Sequence, residues 1–158
     1  MTDEILSTYG NRLRVRVCGV CIENNRILLI KHKSITKSGV FYAPPGGGIN
    51  PNESAVEALK REFLEETGLE IAVNRLLFVN DYVKPPLHGV ELFFEVGRVS
   101  GELRLGIDPE TQNQIIESIS WLDISEVKSL KSEEKHSFLD LIKSFDEIYT
   151  LDKYLTQL

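Results

Sequence analysis

The chain has 158 residues, 42% of them hydrophobic and 27% charged, a balance that suits one globular domain with a core of its own, spanning residues 1–158. Its net charge of −6 argues against partners recognised by a broadly basic surface, such as nucleic-acid backbones and anionic membranes. A small anionic ligand would need a local positive device, such as a bound metal. The first ten residues carry Asp3 and Glu4 and no basic stretch followed by an apolar run, so no signal peptide is expected. No apolar stretch reaches membrane-spanning length, and the cytoplasm is the expected location.

In chain order, Arg12 to Glu23 alternates basic and apolar residues with period two and predicts a strand. Cys18 and Cys21 lie on it as C-x-x-C. Residues three apart on a strand point to opposite faces, and neither a second cysteine pair nor a nearby histidine cluster exists, so two inert thiols are expected. Asn24-Asn25 signals a turn into a second strand, Arg26 to His32, which makes a hairpin. A polar loop follows, carrying Lys33 and Lys37. Phe41 to Ala43 reads as extended, and Pro44-Pro45-Gly46-Gly47-Gly48 is expected to be neither helix nor central strand.

Ser54 to Thr67 has helical signals at both ends: Ser54 with Glu57 fits a capping box, and Gly68 suits the left-handed position after the last turn. Ala55, Val56, Leu59 and Phe63 form the expected apolar stripe. Glu70 to Val83 and Val90 to Val99 predict two strands around a turn at Lys84 to Gly89, and Ile115 to Leu122 another. From Ser132 to Tyr149, Phe138, Leu141, Ile142 and Phe145 recur at helical spacing. Strands and helices in this order predict an α/β fold, a mixed sheet covered by helices.

On the Ser54 to Thr67 helix, Glu62, Glu65 and Glu66 are three and four residues apart and share one face. They stand at the C-terminal end, where the helix dipole disfavours acidic groups by about 0.3–1 kcal/mol each. Two readings remain open on this pattern: a solvated acidic face partly neutralised by Arg61, or a divalent-cation site, since Mg²⁺ takes oxygen ligands from a few carboxylates, phosphates and waters. The glycine run just before the helix can bring backbone close to a ligand and supplies a wall for such a site.

The stretch Gly47 to Leu69, GGINPNESAVEALKREFLEETGL, resembles the Nudix box, G-x5-E-x7-R-E-U-x-E-E-x-G-U, at every fixed position. Gly47, Glu53, Arg61, Glu62, Phe63, Glu65, Glu66, Gly68 and Leu69 fill it; Phe63 occupies a position more often aliphatic. The lead-in Phe41 to Pro45 and the segment Ser120-Trp121-Leu122-Asp123 with Glu126 resemble the family more softly. The resemblance implies a Nudix-type α/β/α sandwich with a mixed β-sheet and a catalytic loop-helix. It further implies Mg²⁺-dependent hydrolysis of a diphosphate linkage in a nucleoside diphosphate joined to another moiety, releasing a nucleoside monophosphate.

Carried over by position, the resemblance assigns metal binding to Glu62, Glu65, Glu66 and the backbone carbonyl at Gly46 or Gly47, with Mn²⁺ able to substitute for Mg²⁺. Arg61 pairs with helix carboxylates or Glu53 and orients them, while Glu53 and Gly68 are structural. The general base is Glu62 or Glu66, with Glu117, then Asp108 and Glu110, as candidates outside the box. Arg14, Arg16, Lys37, Tyr82 and Pro85 are candidate substrate contacts. Pro85 lies 16 residues beyond Leu69, near where ADP-ribose pyrophosphatases of the family often carry a proline, though a proline pair also suits a hairpin loop. A small nucleotide, ADP-ribose-like, is thus the expected partner, with no nucleic acid, no membrane and possible pairing with a second copy. Nucleoside triphosphate clean-up and a non-catalytic nucleotide-binding regulator are the alternatives.

Overall fold

The structure is a computed structural model and describes residues 10–33, 38–106 and 115–157. Its frame is strand β1, Arg12–Glu23, which pairs with three partners along its length. Through Asn24 and Asn25, both at positive φ, it turns into β2, Arg26–Lys33, pairing at Ile22↔Ile27 as the predicted hairpin. β3, Val40–Ala43, and β7, Ile116–Leu122, flank β2. On its other side β1 runs parallel to β6, Leu87–Gly101, over the whole register from Arg12↔Leu87 to Cys21↔Val96. β5, Leu69–Lys84, joins β6 as an antiparallel hairpin, and β8, Tyr154–Gln157, adds a parallel edge to β5. The sheet is therefore mixed.

The glycine run is neither helix nor central strand, as expected, but it does pair with β1. Gly46–Gly48 forms a short strand, β4, antiparallel to β1 with Gly46 opposite Cys18 and Gly48 opposite Arg16. Without side chains this run can lie closer to its neighbours than an ordinary strand. A Cβ on Gly46 would collide with the Val17 carbonyl and one on Gly47 with the Glu62 carboxylate, so pairing and glycine depend on each other here.

Period two divides β1 between two cores. Val17 and Cys21 join Leu59, Phe63 and Leu69 beneath the helix α1, Ala55–Thr67, whereas Cys18 and Val20 join Phe78, Phe93, Phe138 and Ile148 on the opposite face. The two thiols thus point apart, and burial, the leading cause, raises both, Cys21 to about 11. Unprotonated sulfur is what reacts, so burial and the raised thiols disfavour reaction at both positions. Val56, assigned above to the apolar stripe, is exposed; Ala58 takes its place.

The predicted long C-terminal helix is broken. α2, Ile124–Ser129, is followed by a 3-10 turn at Ser132–Glu134, a single helical turn α3, Phe138–Leu141, and a second 3-10 turn, Phe145–Thr150. The helical spacing of Phe138, Ile142 and Phe145 is real, and all three are buried, but the segment bends over the sheet to keep them there. Lysines hold the bends: Lys135 Nζ donates to the carbonyls of Val127 and Leu130 at the end of α2, and Lys128 Nζ to those of Leu139 and Asp140. Leu141, also expected inside, is exposed. Among the described residues no helix is long and apolar enough to cross a membrane.

Candidate functional site

α1 is capped as its sequence predicts. Ser54 accepts from the Glu57 amide, Glu57 returns the bond to the Ser54 amide, and Gly68 closes the helix at φ 73°. This fixes where its last two turns lie. There Glu62 and Glu66, 4% and 5% exposed, belong to the same inward face as Leu59 and Phe63, so they are not a solvated acidic surface. Burying two carboxylates at the unfavourable end of a helix dipole costs stability unless something compensates.

Part of the compensation is Arg61. Its Nε and Nη2 grip Glu53 in a fork at 2.7 and 2.9 Å, Nη1 donates to Glu62 at 2.7 Å and reaches Glu65 at 3.4 Å, and Nη2 also donates to the Gly48 carbonyl at 3.1 Å. The Arg61 hydrogen bonds hold the Glu53 carboxyl down at about 2. Arg61 thus ties helix, lead-in loop and β4 together, which only a planar guanidinium with several fixed donors can do. The Glu66 carboxylate accepts from the Gly46 amide at 2.8 Å. Both inward glutamates therefore lie against the glycine strand.

Among the described residues no three His, Cys, Asp or Glu side chains close into a ready-made chelate. The donor chemistry fits a hard divalent cation all the same: two buried carboxylates one turn apart, Glu65 at the rim, and a glycine backbone beside them. The nearest thiol, Cys18, is raised by burial and then by Glu91, and adds no soft ligand.

A third buried carboxylate, Glu91, was not anticipated from the sequence. Glu91 on β6 accepts on Oε2 from Asn80 Nδ2 and from His136 Nε2, both at 2.8 Å, and its Oε1 lies 3.5 Å from Arg16 Nη1. Burial pushes its carboxyl up, but the His136 bond, the His136 and Arg16 charges and the Asn80 amide outweigh it and bring it to about 2. A signal for this group did exist. Arg16, Asn80, Glu91 and His136 each stand two residues from a core residue, Cys18, Phe78, Phe93 and Phe138 respectively, so period two puts the strand members on an inward face.

The register extends this face outward in rows. Cys18, Phe93 and Phe78 are aligned across β1, β6 and β5; next come Arg16, Glu91 and Asn80; then Arg14, Gly89 and Tyr82. A Cβ on Gly89 would meet only the Arg14 carbonyl at 3.8 Å, so the third row has an open floor between Arg14 and Tyr82. The structure thus brings Arg14, Arg16 and Tyr82 onto one face. Pro85 lies with Pro86 in the turn of the β5–β6 hairpin, the loop position that a proline pair suits. Glu117, on β7, is exposed and pairs with Lys31 at 3.2 Å. Lys37, Asp108 and Glu110 lie outside the described residues.

Comparison with known proteins accords with this geometry. The family model for the NUDIX domain matches residues 10–142. An ADP-ribose pyrophosphatase of Methanocaldococcus jannaschii is 40% identical over 98 residues, 60% of this chain and 56% of that protein. A putative 8-oxo-dGTP diphosphatase of Bacillus subtilis is 37% identical over 90 residues, 56% of this chain and 55% of its own. The aligned stretch thus spans little more than half the length of either relative. A NUDIX hydrolase structure from Nitrosomonas europaea superposes with a TM-score of 0.72 at 20% identity, covering 91% of this chain and 93% of that one, and so shares the fold. Box, fold and family model agree, and the chain belongs to the NUDIX family.

Proposed function

We propose that this chain hydrolyses a diphosphate linkage in a nucleoside diphosphate joined to a second moiety, releasing a nucleoside monophosphate. The observation that carries the reading is the burial of Glu62 and Glu66 on the inward face of α1, against the glycine strand and locked by Arg61 and the Gly46 amide. A fold seeking only stability would not place two carboxylates there. Glu62, Glu65 and Glu66, with the backbone at Gly46 or Gly47, would hold Mg²⁺ or Mn²⁺. When bound, such a cation neutralises diphosphate oxygens and acidifies water.

The residues divide the remaining work. Arg61 fixes the rotamers of Glu53 and Glu62 and so the spacing of the ligand set. Glu62 or Glu66 takes the proton from the attacking water; Glu117 is the candidate base outside the box. Arg14, Arg16 and Tyr82 line the neighbouring sheet face, where two cations and an aromatic ring suit a phosphate and a planar base. The Methanocaldococcus relative's name favours an ADP-ribose-like substrate, and the Bacillus relative's name keeps a nucleoside triphosphate as the second reading.

The test is a screen of nucleoside-diphosphate compounds and nucleoside triphosphates with Mg²⁺, reading released monophosphate and phosphate. Turnover that is abolished by chelator and restored by Mg²⁺ supports the proposal. Absence of turnover on every class, with folded protein and metal present, would move the chain to a nucleotide-binding regulator.

A further inference from the structure

We propose that Glu91, braced by His136 and Asn80, is a positioning residue that aims Arg16 at a phosphate oxygen of the substrate beside the box carboxylates. The inference rests on the hydrolase reading above and adds a second group of residues to it.

Position comes first. Arg16 faces Gly48 across one edge of β1 and Glu91 across the other, so it stands between the glycine strand and the buried carboxylate. Two residues on, Cys18 pairs with Gly46, whose amide donates to Glu66 at 2.8 Å, so the strand that carries Arg16 runs directly beside the box carboxylates.

Hydrogen-bond accounting then fixes the orientation. An ionised carboxylate only accepts, so Asn80 must turn its amide nitrogen to Glu91, and His136 must carry its proton on Nε2. His136 Nδ1 lies 3.5 Å from the Phe138 amide nitrogen. Both short bonds fall on Glu91 Oε2, leaving Oε1 as the oxygen that faces Arg16. The carboxylate is clamped from behind, while its contact with the guanidinium is long. The exposures run the same way, 11% for the Glu91 side chain and 35% for that of Arg16, so the cation is presented outward from an anchored base.

A purely structural role accounts poorly for this. Burying a carboxylate costs more than it returns unless every partner is in place. The adjoining row joins the same C-terminal segment to the same strands with Phe78, Phe93 and Phe138 alone, ring centroids 4.6 to 5.3 Å apart. Apolar packing would have served the second row as well. What it could not do is hold an arginine at a fixed angle where a diphosphate must enter among Glu62, Glu65, Glu66 and Glu91. A guanidinium held by a carboxylate is pre-organised for bidentate phosphate contact.

The experiment measures Mg²⁺–ADP binding by calorimetry and steady-state kinetics on the best substrate of the screen, for Arg16→Ala, Glu91→Gln and the double variant. Each single substitution is expected to raise Kd and KM about tenfold while kcat falls less than about threefold, the signature of a lost binding contact. The double variant should be no worse than Arg16→Ala, because Glu91 acts through Arg16. His136→Leu should raise KM as Glu91→Gln does, and His136→Gln, which keeps a donor, should recover part of the loss. Thermal melts accompany each variant, and Arg16→Lys, altered on the partly exposed side, provides a variant that spares the core. Additive losses in the double variant, or unchanged KM and Kd in the singles, overturn the positioning role while wild-type turnover stands. A wild-type chain that turns over nothing in the screen overturns the hydrolase reading itself.

Discussion

Two groups of buried carboxylates flank β1, and they are assembled in opposite ways. The box group is local: Arg61 reaches Glu53 eight residues back and Glu62 next door, and Glu66 reaches Gly46 across 20 residues. The Glu91 group is assembled from four elements, with partners 75, 45 and 11 residues away. One is written along a single helix and the loop before it. The other exists only when the C-terminal segment has folded across the sheet. A local group can keep its geometry while distant packing loosens, whereas a dispersed group reports directly on that packing.

The sharpest way to break the comparison is Phe138→Ala. Phe138 is fully buried, lies 5.2 to 5.3 Å from Phe78, Phe93 and His136, and forms a wall of the dispersed group. Its loss is expected to cost about 3–5 kcal/mol in denaturant unfolding. If the contrast holds, His136 loses its distinct NMR environment while the α1 cap resonances stay in place. Next in size, Glu66→Gln removes a charge from the local group and should lower Mg²⁺-dependent turnover at least about 10²-fold, with a melting temperature close to wild type. Full activity in that variant would remove the basis of the hydrolase reading. Arg61→Lys keeps the charge but not the fork, and a loss of about 10–100-fold in turnover or metal affinity is expected from a residue that orients ligands.

Acid sharpens the contrast from the other side. Glu91 is depressed to about 2 in the folded chain, below the ordinary glutamate range, so its contribution to stability is present above about pH 4.5 and is lost as the pH falls toward 2. Unfolding midpoints followed between pH 5 and pH 2 should therefore fall less steeply for Glu91→Gln than for wild type; parallel curves would contradict the assignment. The smallest effect belongs to the cap of the local group: Ser54→Ala should cost about 1 kcal/mol by denaturant titration and leave the chemistry unchanged.

The same contrast explains what was legible in the sequence. The box helix, both its caps and the shared face of its carboxylates could be read because helical spacing dictates neighbours three and four residues apart, although the Glu66 contact with Gly46 spans 20 residues. Strand β1 was visible in its alternation, β2 as an apolar run after the Asn24-Asn25 turn, and β5 to β7 as extended segments between turns. β4 was missed because three glycines carry no strand propensity; they pair with β1 because no side chain keeps them away. The long C-terminal helix was expected from the spacing of Phe138, Ile142 and Phe145, and tertiary burial against the sheet overrode it. Glu91 and His136 went unnoticed since period two marks an inward position on each strand but does not announce a contact across 45 residues. The exposed Val56 shows the same limit on α1, where Ala58, two residues on, takes the buried place.

The parallel alignment of β1 with β6 also bears on how the chain reaches this state. Arg12 meets Leu87 and Cys21 meets Val96, so every rung of that ladder closes a loop of 75 residues. The β5–β6 hairpin and α1 can form early from near neighbours, but the central ladder has to bear a large closure entropy before any of its bonds is gained. Folding is therefore expected to be slow for the chain's size, with a hairpin-and-helix stage that precedes the docking of β1. Arg16 and Glu91 meet on one rung of that late ladder, so competence for binding should appear with the slow phase of refolding.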